Sequence, residues 1–359
     1  MESVVITGIG LVTSVGHSAA QALTSLRAGI ARFVEMPEYE PIVRDPAVHF
    51  PEPVTGSPVS GLTDGLVGIE RLFALAVPAL GEACSDAGLG DHDLEKTSLL
   101  VTGGERPDIA VGSRVATVFA PRLASRVSKA NVTLTDYLPA GSAGFLLALR
   151  KGVDLLGQGV CRQSVIGGVD SWLDPASLAW LDERRRLKSL SSIDAFIPGE
   201  AAGFVVVELS SNAQRRKVRI YGKISDVSSA VEKHTISAET VCTGDALATC
   251  LKSAVADLEK RGTTAPMAYC DMNGESYRAS EWAYACVKSF QGRHAVPQVF
   301  HPADCIGDVG SSMGPILIGL AVCKTGTNPV QSAPAIVWCS SDGGLRAACG
   351  VHPASARIS

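Results

Sequence analysis

The sequence lacks several features that would place it in a functional class at once. Aromatic residues make up only 5% of its 359 residues, and its ten cysteines include no C-x-x-C pair. The net charge of −4 offers no basic surface of the kind that binds nucleic acid. No apolar run approaches the roughly 18 residues that a membrane-spanning helix needs. We therefore expect no nucleic-acid partner, no membrane span, no metal site and no organic cofactor.

The cysteines and the first residues point to a reducing compartment. Most of the cysteines stand in apolar runs, where a thiol behaves as a small core side chain. The opening residues, MESVVITGIG, predict a strand rather than a signal peptide, because they contain neither a basic segment nor a cleavage site. We expect a cytoplasmic protein.

What the sequence does contain is typical of a layered α/β protein. Hydrophobic residues make up 46% of the chain, with many alanines, valines, glycines and leucines. A chain of this length forms two domains or one large α/β unit, and it can bury a sizeable core without disulfides. Strand and helix patterns alternate along it, which indicates mixed sheets with helices between them.

The stretch from Tyr137 to Asp170 organises the chain. A turn at Pro139 precedes an apolar helix, which ends at a pair of glycines, and a buried strand then ends at Gly167 and Gly168. Ser142 stands where the helix begins, next to free backbone N–H groups and the positive end of the helix dipole. An α/β fold can place an acyl nucleophile there. The alternative interpretation is that Ser142 is simply the helix N-cap.

This stretch resembles the active-site segment of β-ketoacyl synthases, in the thiolase-like superfamily. In that family a cysteine begins the buried helix, and a V-x-G-G-x-[ED] strand follows. Matching the Gly167–Gly168 pair without gaps places the cysteine position at Ser142, whereas matching the turn alone places it at Gly141. Neither register contains a cysteine.

Two further segments carry the resemblance. VVITGIGLVTSVG is similar to the start of ketosynthases, where Thr7–Gly10 is expected to be the exit turn of the first strand. The segment from Ile193 to Glu208 is similar to the family's D-G-F-V-x-G-E-G-A-G-x-x-V-L-E, and it implies a structural role for Glu200. The resemblance implies a duplicated α-β-α-β-α, five-layered thiolase-like fold, with residues 1–212 as the N-terminal half and 213–359 as the C-terminal half.

The second half repeats the element order of the first, as that fold requires. The helix from Asp245 to Arg261 parallels the one from Ile69 to Leu89, and the glycine-opened helix from Val309 to Val322 parallels the one at Ser142. Strands beginning at Met267, Ala335 and Leu345 parallel those at Ser98, Ser164 and Phe204.

The resemblance also locates the positions of the family's reactive side chains. The first histidine corresponds to Asn273 and the second to Asp308. Ala303 stands in place of a lysine and Asp342 in place of a gating phenylalanine. Ser142, Asn273 and Asp308 thus occupy the positions of the family's Cys/His/His set, while the glycines around them are mostly kept. His301 and His17 are the nearby histidines, each of which also has a structural interpretation.

Three functions follow from this comparison of residues. The first is a catalytically silent ketosynthase-like partner, scaffold or adaptor subunit, either chain-length-factor-like or associated with type VI secretion effectors. The second is a serine acyltransferase or hydrolase that uses Ser142, although a serine hydroxyl needs a base. The third is a true 3-oxoacyl-carrier-protein synthase with unusual residues.

The resemblance implies a dimer, either with a second copy or with an active ketosynthase. Acyl carrier protein or a secretion effector are further implied partners. The segment NVTL, from Asn131 to Leu134, has the β-branched, apolar character of a strand that pairs across a two-fold axis.

Overall fold

The computed structural model describes residues 2–36, 38–42, 53–105, 110–127, 132–189, 192–263, 267–292, 296–323 and 333–354. The first half of the chain contributes strands β1 (Val4–Thr13), β2 (Val34–Met36), β3 (Val54–Gly56), β4 (Thr97–Gly103), β5 (Leu134–Pro139), β6 (Gln163–Ser171) and β7 (Glu200–Leu209). Its helices are α1 (Ala19–Arg27), α2 (Gly68–Asp86), α3 (Asp91–Leu94), α4 (Ala110–Val127), α5 (Gly141–Gly157), α6 (Pro175–Glu183) and α7 (Ser210–Arg216).

The second half contributes β8 (Gly222–Ile224), β9 (Ser228–Val231), β10 (Met267–Cys270), β11 (Gln298–Phe300), β12 (Ala335–Ser340) and β13 (Leu345–Pro353). Its helices are α8 (Asp245–Lys260), α9 (Ser276–Phe290), α10 (Ala303–Ile306) and α11 (Met313–Val322), with a 3-10 turn at Gly310–Ser312 directly before α11. The expected boundary between residues 212 and 213 falls inside α7 and stays a prediction.

The two halves have the same strand order and the same strand directions. The N-terminal half-sheet runs β5-β4-β6-β7-β1, and the C-terminal half-sheet runs β11-β10-β12-β13-β8. In each, the first three strands are parallel and the next two pairings are antiparallel. Strand β8 also pairs with β1, so the half-sheets are joined edge to edge. The predicted internal repeat is confirmed by this equivalence.

The two equivalent helices α5 and α11 lie between the half-sheets. Helix α5 packs on β4 and β6 of one half and on β12 and β13 of the other, and α11 likewise contacts both. Helices α2 and α4 cover the outer face of the N-terminal half-sheet, while α8, with α9 packed on it, covers that of the C-terminal one. The layers are therefore helix, sheet, helix, sheet, helix, as predicted.

Burial on both faces explains the composition of the inner elements. All ten residues of α11 are buried, and every residue of β1, β4, β6 and β12 is buried. Strands that are covered on both faces have continuous apolar sequences, whereas a half-exposed strand alternates apolar and polar residues. Helix α9 was not predicted, although it packs Trp282 against Trp338 of β12 at a ring distance of 4.4 Å.

Two local predictions are wrong. Thr7–Gly10 is not an exit turn, because β1 continues to Thr13 with a register irregularity after Ile6. A Cβ at Gly8 or Gly10 would lie within 2.4 Å of the backbone of α2, so these glycines permit close packing of helix on strand. The strand expected at NVTL instead starts at Leu134 and runs to Pro139, and Asn131 lies outside the described residues.

Within the described residues, we find no helix that combines the length and the apolar character needed to cross a bilayer.

We expect the contact between the inner helices to tolerate no added methyl group. A Cβ at Gly314 of α11 would lie 2.4 Å from Cδ1 of Phe145 on α5. Gly314→Ala should lower the free energy of unfolding by about 1–3 kcal/mol, the usual cost of overpacking a core. Gly81→Ala is the matched control, since its Cβ would meet nothing within 4 Å and the change should stabilise α2 by about 0.5–1 kcal/mol. Urea unfolding measures both, and equal effects of the two changes would contradict the packing argument.

Candidate active site

A cavity of about 680 Å³ opens where α5, the 3-10 turn before α11 and the β12–β13 turn meet. We call it the central cavity. Residues from both halves of the chain line it, and half of them are charged. The lining residues are Gly104, Glu105, Gly141, Ser142, Asp170, Trp172, Trp180, Arg184, Arg185, Arg186, Asp194, Ile236, Ser237, Glu275, Tyr277, Arg278, Asp308, Gly310, Asp342 and Gly343.

Ser142 lies in the cavity wall as the second residue of α5. The interpretation of Ser142 as an N-cap is wrong, because the N-cap position is Ala140. The cap is supplied from the other half of the chain: the Ala143 N–H donates to Oγ of Ser341 at 2.9 Å, and that hydroxyl donates to the Ala140 carbonyl at 2.6 Å. The hydroxyl of Ser142 forms no hydrogen bond with another described residue, so it has no base bound to it.

The positions of the two expected histidines lie side by side. Asn273 Nδ2 donates to Oδ2 of Asp308 at 2.7 Å and to Oε2 of Glu275 at 3.0 Å. The other oxygen of Asp308 accepts from Trp172 Nε1 at 3.2 Å and from the Gly310 N–H at 2.8 Å. Asp308 faces the central cavity, whereas Asn273 lies behind it. Three neutral donors therefore hold this carboxylate, and the amide of Asn273 is fully used.

Two buried arginines connect the carboxylates around the cavity. Arg186 pairs with Glu275 through two hydrogen bonds of 2.6 and 2.8 Å, and with Asp342 at 2.6 Å. Arg278 donates to the other oxygen of Asp342 at 2.6 Å. Burial disfavours the charged form of Asp342, but the guanidinium groups of Arg278 and Arg186 outweigh it and lower its pKa. We call these four residues the arginine–carboxylate network.

Arg186 is buried, although its local sequence predicts an exposed side chain. The basic cluster from Glu183 to Lys188 predicts a solvated helix end, and Arg184 and Arg185 are indeed exposed. Arg186 is only 8% exposed, because its backbone turns inward after α6 and its guanidinium lies over the ring of Phe196. Nothing in the local sequence distinguishes it from its neighbours.

Behind the network lies a buried carboxyl group with an unusual pKa. Asp271 directly follows β10 and accepts the Ser340 N–H at 2.8 Å. Burial raises the pKa of Asp271 to about 7, against the opposing effects of Arg278 and the Ser340 hydrogen bond. Two nitrogens of Arg278, Nε and Nη1, have no hydrogen-bond partner among the described residues.

Glu105 also reaches the cavity and was not predicted. It follows β4 by two residues, and its Oε1 accepts the Gly343 N–H at 2.8 Å. Burial raises its pKa, and hydrogen bonds from the backbone of Gly343 and Asp342 act in the opposite direction. Its position beyond a parallel strand of a layered α/β fold is the sequence signal that could have identified it.

The remaining candidate residues do not line the central cavity. Glu200 is fully buried and accepts from Arg71, Thr63, Ser171 and the Val59 N–H. His301 lies 3.1 Å from Asp304, His17 is exposed, and Ala303 is buried in α10.

One group of side chains has the proximity of a metal site. Ligand atoms of Glu232, Cys242 and Glu281 lie within 4.8 Å of one another. However, Arg346 donates to Glu281 at 2.6 Å, and both oxygens of Glu232 accept backbone N–H groups. These atoms already have partners, so the group fits a buried ion pair better than a metal ion.

Removing Arg186 should be much more costly than removing its neighbour. Arg186→Ala removes the salt-bridge partner that Glu275 has among the described residues, at 4% side-chain exposure, and loss of one member of a buried ion pair costs about 3–5 kcal/mol. Arg185→Ala should change the free energy of unfolding by less than about 0.5 kcal/mol, because that side chain is exposed. Guanidinium unfolding compares the two variants, and similar losses would refute the assigned role of the network.

Asp271→Asn should change how stability depends on pH. Because the folded pKa of about 7 lies above the unfolded value near 4, wild-type stability falls as pH rises from about 4 through 7. The variant lacks this loss, so it should exceed the wild type at pH 8 by up to about 4 kcal/mol and by less at pH 5. The exposed Asp226→Asn is the control, and urea unfolding at several pH values should give it the wild-type profile.

No protein-family model matches the chain. Solved structures are similar to it over nearly its whole length. The ishigamide ketosynthase/chain length factor has a TM-score of 0.76 at 18% identity, covering 99% of this chain and 100% of that one. AntDE:AntF, a type II PKS acyl-carrier protein in complex with its ketosynthase, has 0.76 at 15% identity, covering 99% and 100%.

A third similar structure is a ketosynthase domain, KS7 of OzmH, for oxazolomycin in Streptomyces albus JA3453. Its TM-score is 0.77 at 16% identity, covering 98% of this chain and 75% of that one. Structural similarity at such low sequence identity establishes the fold but not the activity. The chain has the thiolase-like fold of ketosynthases and chain length factors.

Proposed function

We propose that this protein is a catalytically silent, ketosynthase-like subunit that acts as a partner or scaffold, in the manner of a chain length factor. The observation that carries the proposal is Asp308. Three donors hold this carboxylate, at the position that the sequence resemblance assigns to the family's enolate-stabilising histidine. An ionised carboxylate there would repel the developing negative charge.

The state of Asn273 supports the same conclusion. An amide N–H could in principle stabilise an enolate oxygen, but both N–H groups of Asn273 already bind Asp308 and Glu275. An amide also cannot act as a general acid or base near neutral pH. Freeing it would remove one hydrogen bond from each of two carboxylates that keep their other donors, at an expected cost of about 1.5–3 kcal/mol for each bond to a charged group.

The candidate nucleophiles, cysteine thiols and the Ser142 hydroxyl, also support a catalytically silent protein. All ten cysteines are free thiols, and eight are buried. Burial raises their pKa values, to about 12 for Cys84 and about 11 for Cys250, so thiolates are disfavoured. Among the described residues that line the central cavity there is neither a cysteine nor a histidine. Ser142 lines it without a hydrogen-bonded base, which argues against the acyltransferase alternative.

The cavity itself is poorly suited to an acyl chain. Half of its lining residues carry charge, and an aliphatic ligand would remove water from them without replacing its hydrogen bonds. This favours a subunit that shapes a partner's reaction over one that holds its own intermediate.

We propose an active ketosynthase as the partner and acyl carrier protein as the carrier that visits the pair, in the cytoplasm. Similar solved structures include a ketosynthase/chain length factor and an acyl-carrier protein in complex with its ketosynthase. Among the described residues, β5 ends the sheet order and no other strand pairs with its outer edge, which supports pairing with a second subunit there. A homodimer and association with a secretion effector are the alternatives.

The test is a condensation assay with acyl and malonyl carrier proteins, on the wild type and on Ser142→Cys. Neither should form a ketoacyl product. A thiol at the start of α5 can be acylated, because a helix N-terminus lowers thiol pKa, but decarboxylation still lacks its donors. Loss of one oxyanion donor alone costs about 2.7–4 kcal/mol of transition-state stabilisation.

An active ketosynthase, assayed in parallel with its own Cys→Ser variant, gives the upper and lower limits of the assay. Product from the wild type would overturn the proposal. Product from Ser142→Cys alone would mean that the rest of the site is competent, which contradicts the roles given to Asp308 and Asn273.

A further inference from the structure

Arg278 has hydrogen-bonding capacity that the described residues leave unused. It lines the central cavity and is only 6% exposed. Its Nη2 donates to Asp342, whereas Nε and Nη1 have no hydrogen-bond partner among the described residues. Most buried polar groups in proteins are paired, and an unpaired one costs free energy that a bound acceptor recovers. The guanidinium therefore favours a ligand that carries hydrogen-bond acceptors.

Ser142 and Glu105 add further capacity in the same cavity. The Ser142 hydroxyl, which forms no hydrogen bond with another described residue, can both donate and accept. Oε1 of Glu105 accepts the Gly343 N–H, but a carboxylate has room for about four donors. Because burial raises the pKa of Glu105, this group can also donate when it is protonated. These two side chains favour a ligand that has donors as well as acceptors.

The charges of the cavity wall exclude most other ligand classes. Six carboxylate residues and four arginines line it. An anion would be repelled by the carboxylates and a cation by the arginines, while an aliphatic chain would remove water from both without replacing its hydrogen bonds. A neutral ligand with hydroxyl groups avoids all three costs, because a hydroxyl donates to a carboxylate and accepts from a guanidinium.

An aromatic face in the wall adds a place for an apolar ring face. Trp180 lines the cavity, and the Arg184 guanidinium lies over its ring at 4.2 Å from the centroid. The Arg184 side chain is 43% exposed, and a cation–π contact at such a site is weak. The C–H face of a sugar ring is flat and apolar, so it can pack on tryptophan in the same way. The volume of about 680 Å³ is ample for such a ligand.

We infer that the central cavity is a binding site for a neutral, polyhydroxylated ligand of mono- or disaccharide size. Hydroxyl oxygens of the ligand accept from Arg278, and its hydroxyl protons go to Glu105 and Ser142. One face of its ring packs on Trp180. The site lies within one chain, so this inference does not depend on the proposed partner role.

The experiment is a titration of the wild type at pH 7.5 with glucose, galactose, maltose and trehalose, followed by tryptophan fluorescence. Trp172 and Trp180 line the cavity, whereas Trp282 and Trp338 stack on each other in the C-terminal half and give a constant background. At least one of the four sugars should change the emission along a saturating curve, with half-saturation at or below about 10 mM. Acetate and putrescine, which carry charge of one sign, should bind more weakly than that sugar.

Three variants locate the binding. Ser142→Ala should weaken it about fivefold, the usual loss for one neutral hydrogen bond, and Glu105→Ala about tenfold or more. Ser85→Ala is the matched control, because this serine is exposed on α2 and does not line the cavity, so the wild-type affinity should remain. If Glu105→Ala fails to fold, the comparison of Ser142→Ala with Ser85→Ala still tests the site.

The inference is overturned if none of the four sugars gives a saturable signal, or if acetate or putrescine binds more tightly than all of them. It is equally overturned if Ser142→Ala and Ser85→Ala bind with the same affinity. A linear change shared by every variant is a solvent effect of the sugar and counts against the site. Condensation is not measured, so a failure here is distinct from a failure of the proposed function.

Discussion

The site depends on one constraint: both inner helices begin inside the protein. Helices α5 and α11 lie between two half-sheets, so water cannot satisfy the free N–H groups of their first turns. The protein supplies acceptors instead. Ser341 caps α5, while Asp308 and Asp170 accept the Gly310 and Ser311 N–H groups in the turn before α11. Helix N-termini favour anions, which is one reason why this cavity tolerates so many carboxylates.

The carboxylates in turn require the arginines. Burying a carboxylate without a counter-ion is costly, and the arginine–carboxylate network pairs Glu275 and Asp342 with cations from elements that are distant in sequence. Asp308 and Glu105 are satisfied differently, by neutral donors. These four carboxylates of the cavity are thus internally paired, whereas two nitrogens of Arg278 have no hydrogen-bond partner among the described residues. A substrate would have to compete with these pairs before it could be bound.

Features of the fold and site that depend on local sequence could be predicted, whereas those that depend on contacts between distant residues could not. The strand and helix order was predictable because burial on both faces leaves continuous apolar runs and glycines at fixed places. The position of Ser142 at the start of α5 was predictable for the same reason. Its cap was not, since Ser341 lies 198 residues from the N–H that it accepts. Arg186 looks like its exposed neighbours, and the carboxylate that decides its burial, Glu275, is 89 residues away.

The three donors around Asp308 bear on mutational paths between related proteins. A histidine introduced at 308 would offer at most one acceptor nitrogen to Trp172, Gly310 and Asn273, which now share two carboxylate oxygens. Two donors would then lose their partner in a buried place. A histidine at 308 would therefore need compensating changes at 172 and 273.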